Sequence, residues 1–202
     1  YIAAHVGGGS FPLEGDEPRG MWSYNFSLDA PKDSRGRLLF EVLADDLAAK
    51  IGPGGPGDFF DGLEFDVMPW LPPQRLAKHM ERAGRGQDTD GDGKPDFGFR
   101  DGVNRFGVGV EAFLHRLRER LGPDRLIMRD MNRRASGALN GVESEGWPSP
   151  FDLETNEWSS GMNEHRFWAE RGAPPRLTYI HYKYADRRED EANKPFRFPL
   201  SR

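Results

Sequence analysis

Cysteine is absent from the 202 residues. That excludes disulfides, thiolate nucleophiles and thiolate zinc sites, and it leaves the redox compartment open. No apolar run reaches membrane-spanning length, so no membrane insertion is expected. A basic excess is missing too: 28 Lys and Arg face 33 Asp and Glu, for a formal net charge of -5. Nucleic acid and anionic lipid both call for a basic patch, so neither is an expected partner. The Gly-rich phosphate fingerprint of a dinucleotide fold is also lacking. Gly7-Gly8-Gly9-Ser10 is too short, and no helical pattern follows it. There is no internal repeat and no low-complexity tract.

What is present is aromatic and acidic. Five Trp within a 12 % aromatic content suffice for stacking on sugar rings, although most aromatics of a globular chain are core. The length is that of one domain, spanning residues 1–202. Its abrupt start in strand-like residues 1–6, without Met, is expected of a piece of a longer protein.

Apolar spacing orders the elements. Residues 1–6 and 22–28 read as short strands. Asp33 or Ser34 is expected to cap a helix in which Leu38, Leu39, Val42, Leu43, Leu47 and Ile51 recur at helical spacing, and Gly52-Pro53 stops it. A strand follows over residues 59–66. Residues 67–101 show little regular pattern, and a loop of that length is usually functional or carries structure of its own. A second helix over residues 104–121 carries the stripe Phe106, Val110, Phe113, Leu114, Leu117 and Leu121, ended by Gly122-Pro123. Strands at 125–130 and 139–145, a partly helical stretch at 151–171 and a strand at 176–184 complete the order. Alternating strands and helices imply an α/β protein with a parallel sheet. About five or six strands, against the eight of a closed barrel, imply an incomplete (β/α)8 barrel, with an open doubly wound sheet as competitor.

Side chains alternate along a strand, so Glu64 and Asp66 share one face of theirs, and Glu143 and Glu145 share one face of another. In one parallel sheet these acids gather where the strands end, the edge at which barrel enzymes keep their chemistry. Glycosidic cleavage needs one protonated carboxyl for the leaving oxygen and one ionised carboxylate to attack or to activate water. Asp66 is the expected nucleophile or base and Glu145 the expected acid, each being the last acid of its strand. Glu143, Glu64 and Asp130 are second candidates. The bland alternative pairs these acids with Arg129, Arg133 or Arg134 in a structural network.

Asp88-Thr89-Asp90-Gly91-Asp92-Gly93-Lys94-Pro95-Asp96 places acids at relative positions one, three, five and nine, Gly at six and a backbone carbonyl at seven. That matches the start of a calcium loop, so Asp88, Asp90, Asp92, Asp96 and the Lys94 carbonyl are candidate Ca2+ ligands. Phe99 stands where an EF-hand carries its bidentate Glu, so another group would have to complete the shell. The alternative is a solvated Asp/Gly turn. Calcium here would order the long loop and take no part in chemistry. Trp22, Trp70 and Trp147 lie near strand ends, where rings can stack on sugar, and His181 can hydrogen-bond a substrate hydroxyl. Trp158 and Trp168 read as core. His79, His115 and His165 read as solvated or satisfied, and no spacing resembles a zinc site.

The strand Asp61-Gly62-Leu63-Glu64-Phe65-Asp66 resembles the chitinase-type glycoside hydrolase pattern, with Met68 where that pattern carries its catalytic Glu. Taken with the Asp88 to Asp96 run, Leu121-Gly122-Pro123-Asp124 and Asn140-Gly141-Val142-Glu143-Ser144-Glu145-Gly146, roughly residues 20–185 resemble the glycoside-hydrolase-like barrels of bacterial surface and secreted proteins. The resemblance implies a (β/α)8 barrel that acts on or holds carbohydrate. The expected function is therefore a carbohydrate-active hydrolase on an oligo- or polysaccharide, calcium-stabilised and secreted or on the cell surface. The alternatives are a non-catalytic carbohydrate-binding or adhesion module and, last, a calcium-dependent phosphate-ester hydrolase.

Overall fold

The computed structural model describes residues 24–65, 68, 88–94, 96, 98–130, 133–145 and 158–181, with the backbone alone at 145, 158, 160 and 181. The strand expected at residues 1–6 lies outside them. In chain order the elements are α1 (Leu39–Ile51), β1 (Gly62–Phe65), β2 (Phe99–Arg100), β3 (Val103–Asn104), α2 (Arg105–Leu121), β4 (Leu126–Asp130), β5 (Gly141–Glu145), α3 (Trp158–Arg171) and β6 (Leu177–His181). The chain is a mixed α/β protein. Where one domain is expected, contacts gather the elements into two compact units: α1, β2, β3 and α2 in one, and β1, β4, β5, α3 and β6 in the other.

The first unit is built on two helices packed against each other. Asn104 starts α2 by accepting the Gly107 N–H at 2.8 Å, which satisfies one of the free donors of the first turn. The whole expected stripe of α2, from Phe106 to Leu121, is buried. Gly122, at φ 74, ends the helix, and its N–H returns to the Arg118 carbonyl at 2.9 Å. Asp45 of α1 receives Arg116 and Arg120 of α2, each at 2.9 Å. Phe26 packs edge-on to Phe106, with Phe113 5.3 Å away on its other contact. Gly109 permits this approach, because a Cβ there would collide with the Phe26 carbonyl oxygen.

Two expectations in this unit need correction. Neither Asp33 nor Ser34 caps α1; Leu38 occupies that position, and its N–H is taken by the Glu41 carboxylate at 2.8 Å. Asp33 instead closes the preceding turn, accepting the Arg35 and Arg37 N–H groups at 2.8 Å each. Residues 25–28 do not form the expected strand. The Asn25 side chain takes the Ser27 N–H at 3.1 Å, a local bond that competes with a strand ladder. The stretch at 67–101 ends in structure of its own, as a loop of that length allows: β2 and β3 form an antiparallel hairpin through Asp101 (φ 51) and Gly102 (φ 75). Asp-Gly with positive φ at both positions is the signature of a type I′ turn.

The second unit is a four-stranded, all-parallel sheet in the order β1-β4-β5-β6. Pairings Glu64 with Met128, Asp130 with Glu143, and Glu143 with Tyr179 set the register. By alternation, Glu64, Met128, Asp130, Glu143 and Tyr179 share one face, while Ile127, Arg129, Val142 and Ser144 share the other. The second face is fully buried at all four of those positions. Helix α3 packs on β5 and β6 from that side, since its His165 meets Ser144 at 3.1 Å. Trp168 of α3 is completely buried, as expected of a core residue.

Asn140 ties the strand starts together. Its Oδ1 accepts the Ile127 N–H at 2.8 Å, and its Nδ2 donates to the carbonyls of Ala173, Pro174 and Pro175. Its backbone bonds to Ile127 and Leu177 as well. Next to it, Gly141 admits β6, since a Cβ would run into the Leu177 carbonyl oxygen.

Candidate functional site

The parallel register brings Glu64, Asp130 and Glu143 from three neighbouring strands onto one sheet face, near the carboxyl ends of the strands. In open parallel sheets that edge is where ligands bind. Burial differs sharply between the faces. Glu64 is exposed and Asp130 and Glu143 are half-buried, so these carboxylates reach solvent, although Met128 between them is buried.

Tyr179 joins these acids from β6. Its hydroxyl lies 2.6 Å from both oxygens of Glu64. Partial burial, then the hydrogen bond to Glu64 and the charges of Glu64 and Glu143, push the Tyr179 phenol well above its ordinary range. Each negative neighbour disfavours a phenolate, so the hydroxyl stays a donor at neutral pH. Tyr179 was not among the expected site residues. The signal was available, because it precedes His181 by two positions and so shares that residue's strand face.

Asp130 has a second neighbour. The Met68 N–H lies 3.3 Å from its Oδ1, and the Met68 side chain is buried. A buried thioether thus stands where the chitinase-type pattern carries a carboxyl. Arg129, fully buried on the other face, donates from Nε to the Asp130 carbonyl at 3.0 Å. Arg133 is directed elsewhere, with Nε on the Glu164 carboxylate at 2.7 Å. Glu145 pairs in register with His181, placing both expected residues at the ends of adjacent strands. Asp66, Trp22, Trp70 and Trp147 lie outside the described residues. His115 is exposed on α2, and burial holds His165 below its ordinary range against the opposing charge of Glu164.

The other acidic group belongs to the first unit. Carboxylate oxygens of Asp88, Asp90 and Asp96 all lie within 4.8 Å of one another. Gly91 and Gly93, at φ 81 and 89, turn the loop so that their N–H groups reach the two Asp88 oxygens at 2.7 and 2.9 Å. Asp96 accepts the N–H groups of Thr89, Asp90 and Gly98 and the Thr89 hydroxyl. From outside the loop, Asn25 Nδ2 donates to the Thr89 carbonyl at 2.8 Å, and Thr89 is buried. An all-oxygen donor set of this kind suits a hard divalent cation. Asp92 lies outside the three-residue group; its Oδ1 accepts the Lys94 N–H at 2.8 Å.

Comparison of the chain with protein-family models, curated proteins and solved structures returns no match.

Proposed function

We propose that the protein is a carbohydrate-active hydrolase whose acidic sheet face cleaves glycosidic bonds by paired carboxylate chemistry. The observation that carries this reading is the shared face of Glu64, Asp130 and Glu143 at the carboxyl ends of parallel strands. Several inward carboxylates with a protonated tyrosine among them are the equipment such a reaction needs: a proton donor, an ionised partner and a hydroxyl to hold the sugar. In this reading Asp66 is the nucleophile or base and Glu145 the acid. Glu64 and Glu143, with Tyr179, bind substrate hydroxyls, and Trp70, Trp147, Trp22 and His181 are the remaining candidates for sugar contact.

The sheet is read as part of a (β/α)8 barrel. In a flat sheet β1 and β6 stand three strand spacings apart, roughly 14 Å. Side chains perpendicular to a flat sheet do not meet across that distance, so the Tyr179 to Glu64 hydrogen bond supports a sheet that curls toward its acidic face, as a barrel wall does. The Asp88, Asp90 and Asp96 group is read as a structural Ca2+ site. Loops with few ligands from one segment bind weakly and suit the millimolar calcium outside cells, which favours a secreted or surface location.

One observation favours a second reading, a non-catalytic carbohydrate-binding module: Met68 is buried against Asp130 where the chitinase-type pattern has its acid. A glycan array followed by product analysis separates the two. Under the first reading the bound glycan is cleaved, and Asp66→Asn and Glu145→Gln each lower the rate by about 10²–10⁴-fold. Binding without product supports the module, and no glycan binding at all rejects both.

A further inference from the structure

The second unit carries a groove of about 640 Å³ along α3, away from the acidic sheet face, lined by three arginines. Arg133, Arg166 and Arg171 stand around Phe167, with Ser136 and Asn163 as neutral hydrogen-bonding groups. We propose that this groove is a second binding site, which takes a small hydroxylated ligand bearing an oxyanion, with Arg133 as the oxyanion fork.

Arg133 is built for that role. Among the described residues its Nε alone is hydrogen-bonded, to Glu164 Oε2 at 2.7 Å, and the other oxygen of Glu164 accepts the Trp168 indole N–H at 2.9 Å. Glu164 and Trp168 are both buried, so the carboxylate that aims the guanidinium is itself held in place. The guanidinium carbon lies over the Phe167 ring, 5.2 Å from its centre, a cation–π contact that adds to the hold on the group. Orientation at Nε and stacking on one face leave the terminal nitrogen pair to meet a ligand. That pair is the planar fork that matches a carboxylate or phosphate in two parallel hydrogen bonds. A fork already held in place loses little side-chain freedom on binding.

Charge agrees with an anion. Arg166 is occupied by Glu170 at 2.8 Å, and Arg133 is matched by Glu164. Arg171 has no ion pair among the described residues, though its charge is felt by Glu170, which also lines the groove; three guanidinium groups against the carboxylates of Glu164 and Glu170 leave one positive charge in excess. The volume falls within the range of small-molecule sites, and Ser136 and Asn163 offer partners for hydroxyls beside the anion. The same oxyanion chemistry arises from a sugar acid or from a sugar phosphate.

Titration of the whole chain with glucuronate, glucose 6-phosphate and glucose, followed by calorimetry or by amide shifts of α3, tests the proposal. Saturable binding of either anion, at least about tenfold tighter than glucose, is expected, and which one binds identifies the source of the oxyanion. Arg133→Lys keeps the charge and loses the fork, so it is expected to weaken binding by about tenfold, as is Arg133→Gln. Because removing Arg133 strips a buried carboxylate of its partner and can unfold the unit, Arg171→Gln, an exposed change, is measured beside it. Weaker binding in that variant with an unchanged melting temperature supports the site. Anions that bind no better than glucose, or binding indifferent to both arginines, overturns it.

Discussion

The Tyr179 hydroxyl sits 2.6 Å from both oxygens of Glu64, although β4 and β5 lie between their strands. Both side chains are partly open to solvent, so the bond is held by the surrounding sheet and contributes little to stability. Its weight falls on what the acidic face binds. Tyr179→Phe is therefore expected to leave the melting temperature within about 1 °C, since exposed substitutions usually cost under about 0.5 kcal/mol. In the same variant, glycan binding or turnover is expected to fall about tenfold, the worth of one hydrogen bond to a charged group. A wild-type affinity and rate in that variant would remove Tyr179 from the site.

The same contact has an alkaline signature. The folded phenol titrates above its ordinary value of 10.0. A raised folded value means that the unfolded chain loses its proton first as pH rises. The contribution to stability is therefore complete below pH 10 and disappears as pH climbs from there through the folded value. Absorbance titration is expected to show the Tyr179 phenol titrating above 10.0, and Glu64→Gln to bring it down, because a nearby negative charge is removed. Identical titration curves for the two proteins would deny the coupling.

Asn140 is expected to be the costliest single polar position. Removing its side chain strips the Ile127 N–H of its acceptor and three loop carbonyls of their donor, all at a fully buried residue. The Ile127 N–H is buried and an unmet buried group costs about 1–3 kcal/mol, while the loop carbonyls can turn to water, so Asn140→Ala is expected to lose about 2–3 kcal/mol in chemical denaturation. Asn140→Asp keeps the acceptor but faces the three carbonyls with a carboxylate. It is expected to be no better.

Glu64 and Asn140 mark where the sequence is legible and where it is not. Helical spacing is a local property, so the stripes from Leu38 to Ile51 and from Phe106 to Leu121 read directly, as does the stop at Gly122. Alternation likewise places Glu64 and Glu143 each on a face with the acid two positions on. That they share a single face depends on register through Met128 and Asp130, which no local pattern contains. Asn140 escapes notice for the same reason, as its partners lie up to 35 residues away. Asp101-Gly102 is different: the hairpin signal is there in two adjacent residues, and the short, partly exposed strands beside it hide the pattern. Asp33 looks like a cap because Asp commonly is one. Its side chain finds nearer donors at Arg35 and Arg37, before the helix begins.

That turn yields a prediction at acid pH. The Arg37 N–H above all, opposed by desolvation and helped by the Arg37 side chain and the Arg35 N–H, lowers Asp33 from 3.8 to about 2. For a depressed carboxylate the stabilising contribution is present above 3.8 and lost as pH falls through about 2. Carboxyl-carbon shifts followed by NMR are expected to show Asp33 titrating at about 2, below its ordinary 3.8. Asp33→Asn is expected to remove the loss of stability between those two pH values. If the variant and the wild type unfold in parallel across that window, the turn does not carry the effect.

The loop of Asp88, Asp90 and Asp96 allows the sharpest test, because its carboxylates do unequal work without a metal. Asp88 accepts two loop N–H groups and Asp96 three, whereas among the described residues Asp90 accepts only the Asp92 N–H, at 3.1 Å. Substituting Asp90 by Asn keeps that acceptor and the loop's shape and removes one negative charge from the three. Calcium at about a hundred times its dissociation constant is expected to stabilise the wild type by about 2.7 kcal/mol. In a chain of this length that is a rise of about 5–10 °C in melting temperature, reversed by chelator. Asp90→Asn is expected to melt like the calcium-free wild type and to respond to calcium only at concentrations at least about tenfold higher, since affinity in such loops follows the number of charged ligands. A wild-type melting temperature unmoved by calcium and by chelator would make the loop a hydrogen-bonded turn whose acids serve its own backbone.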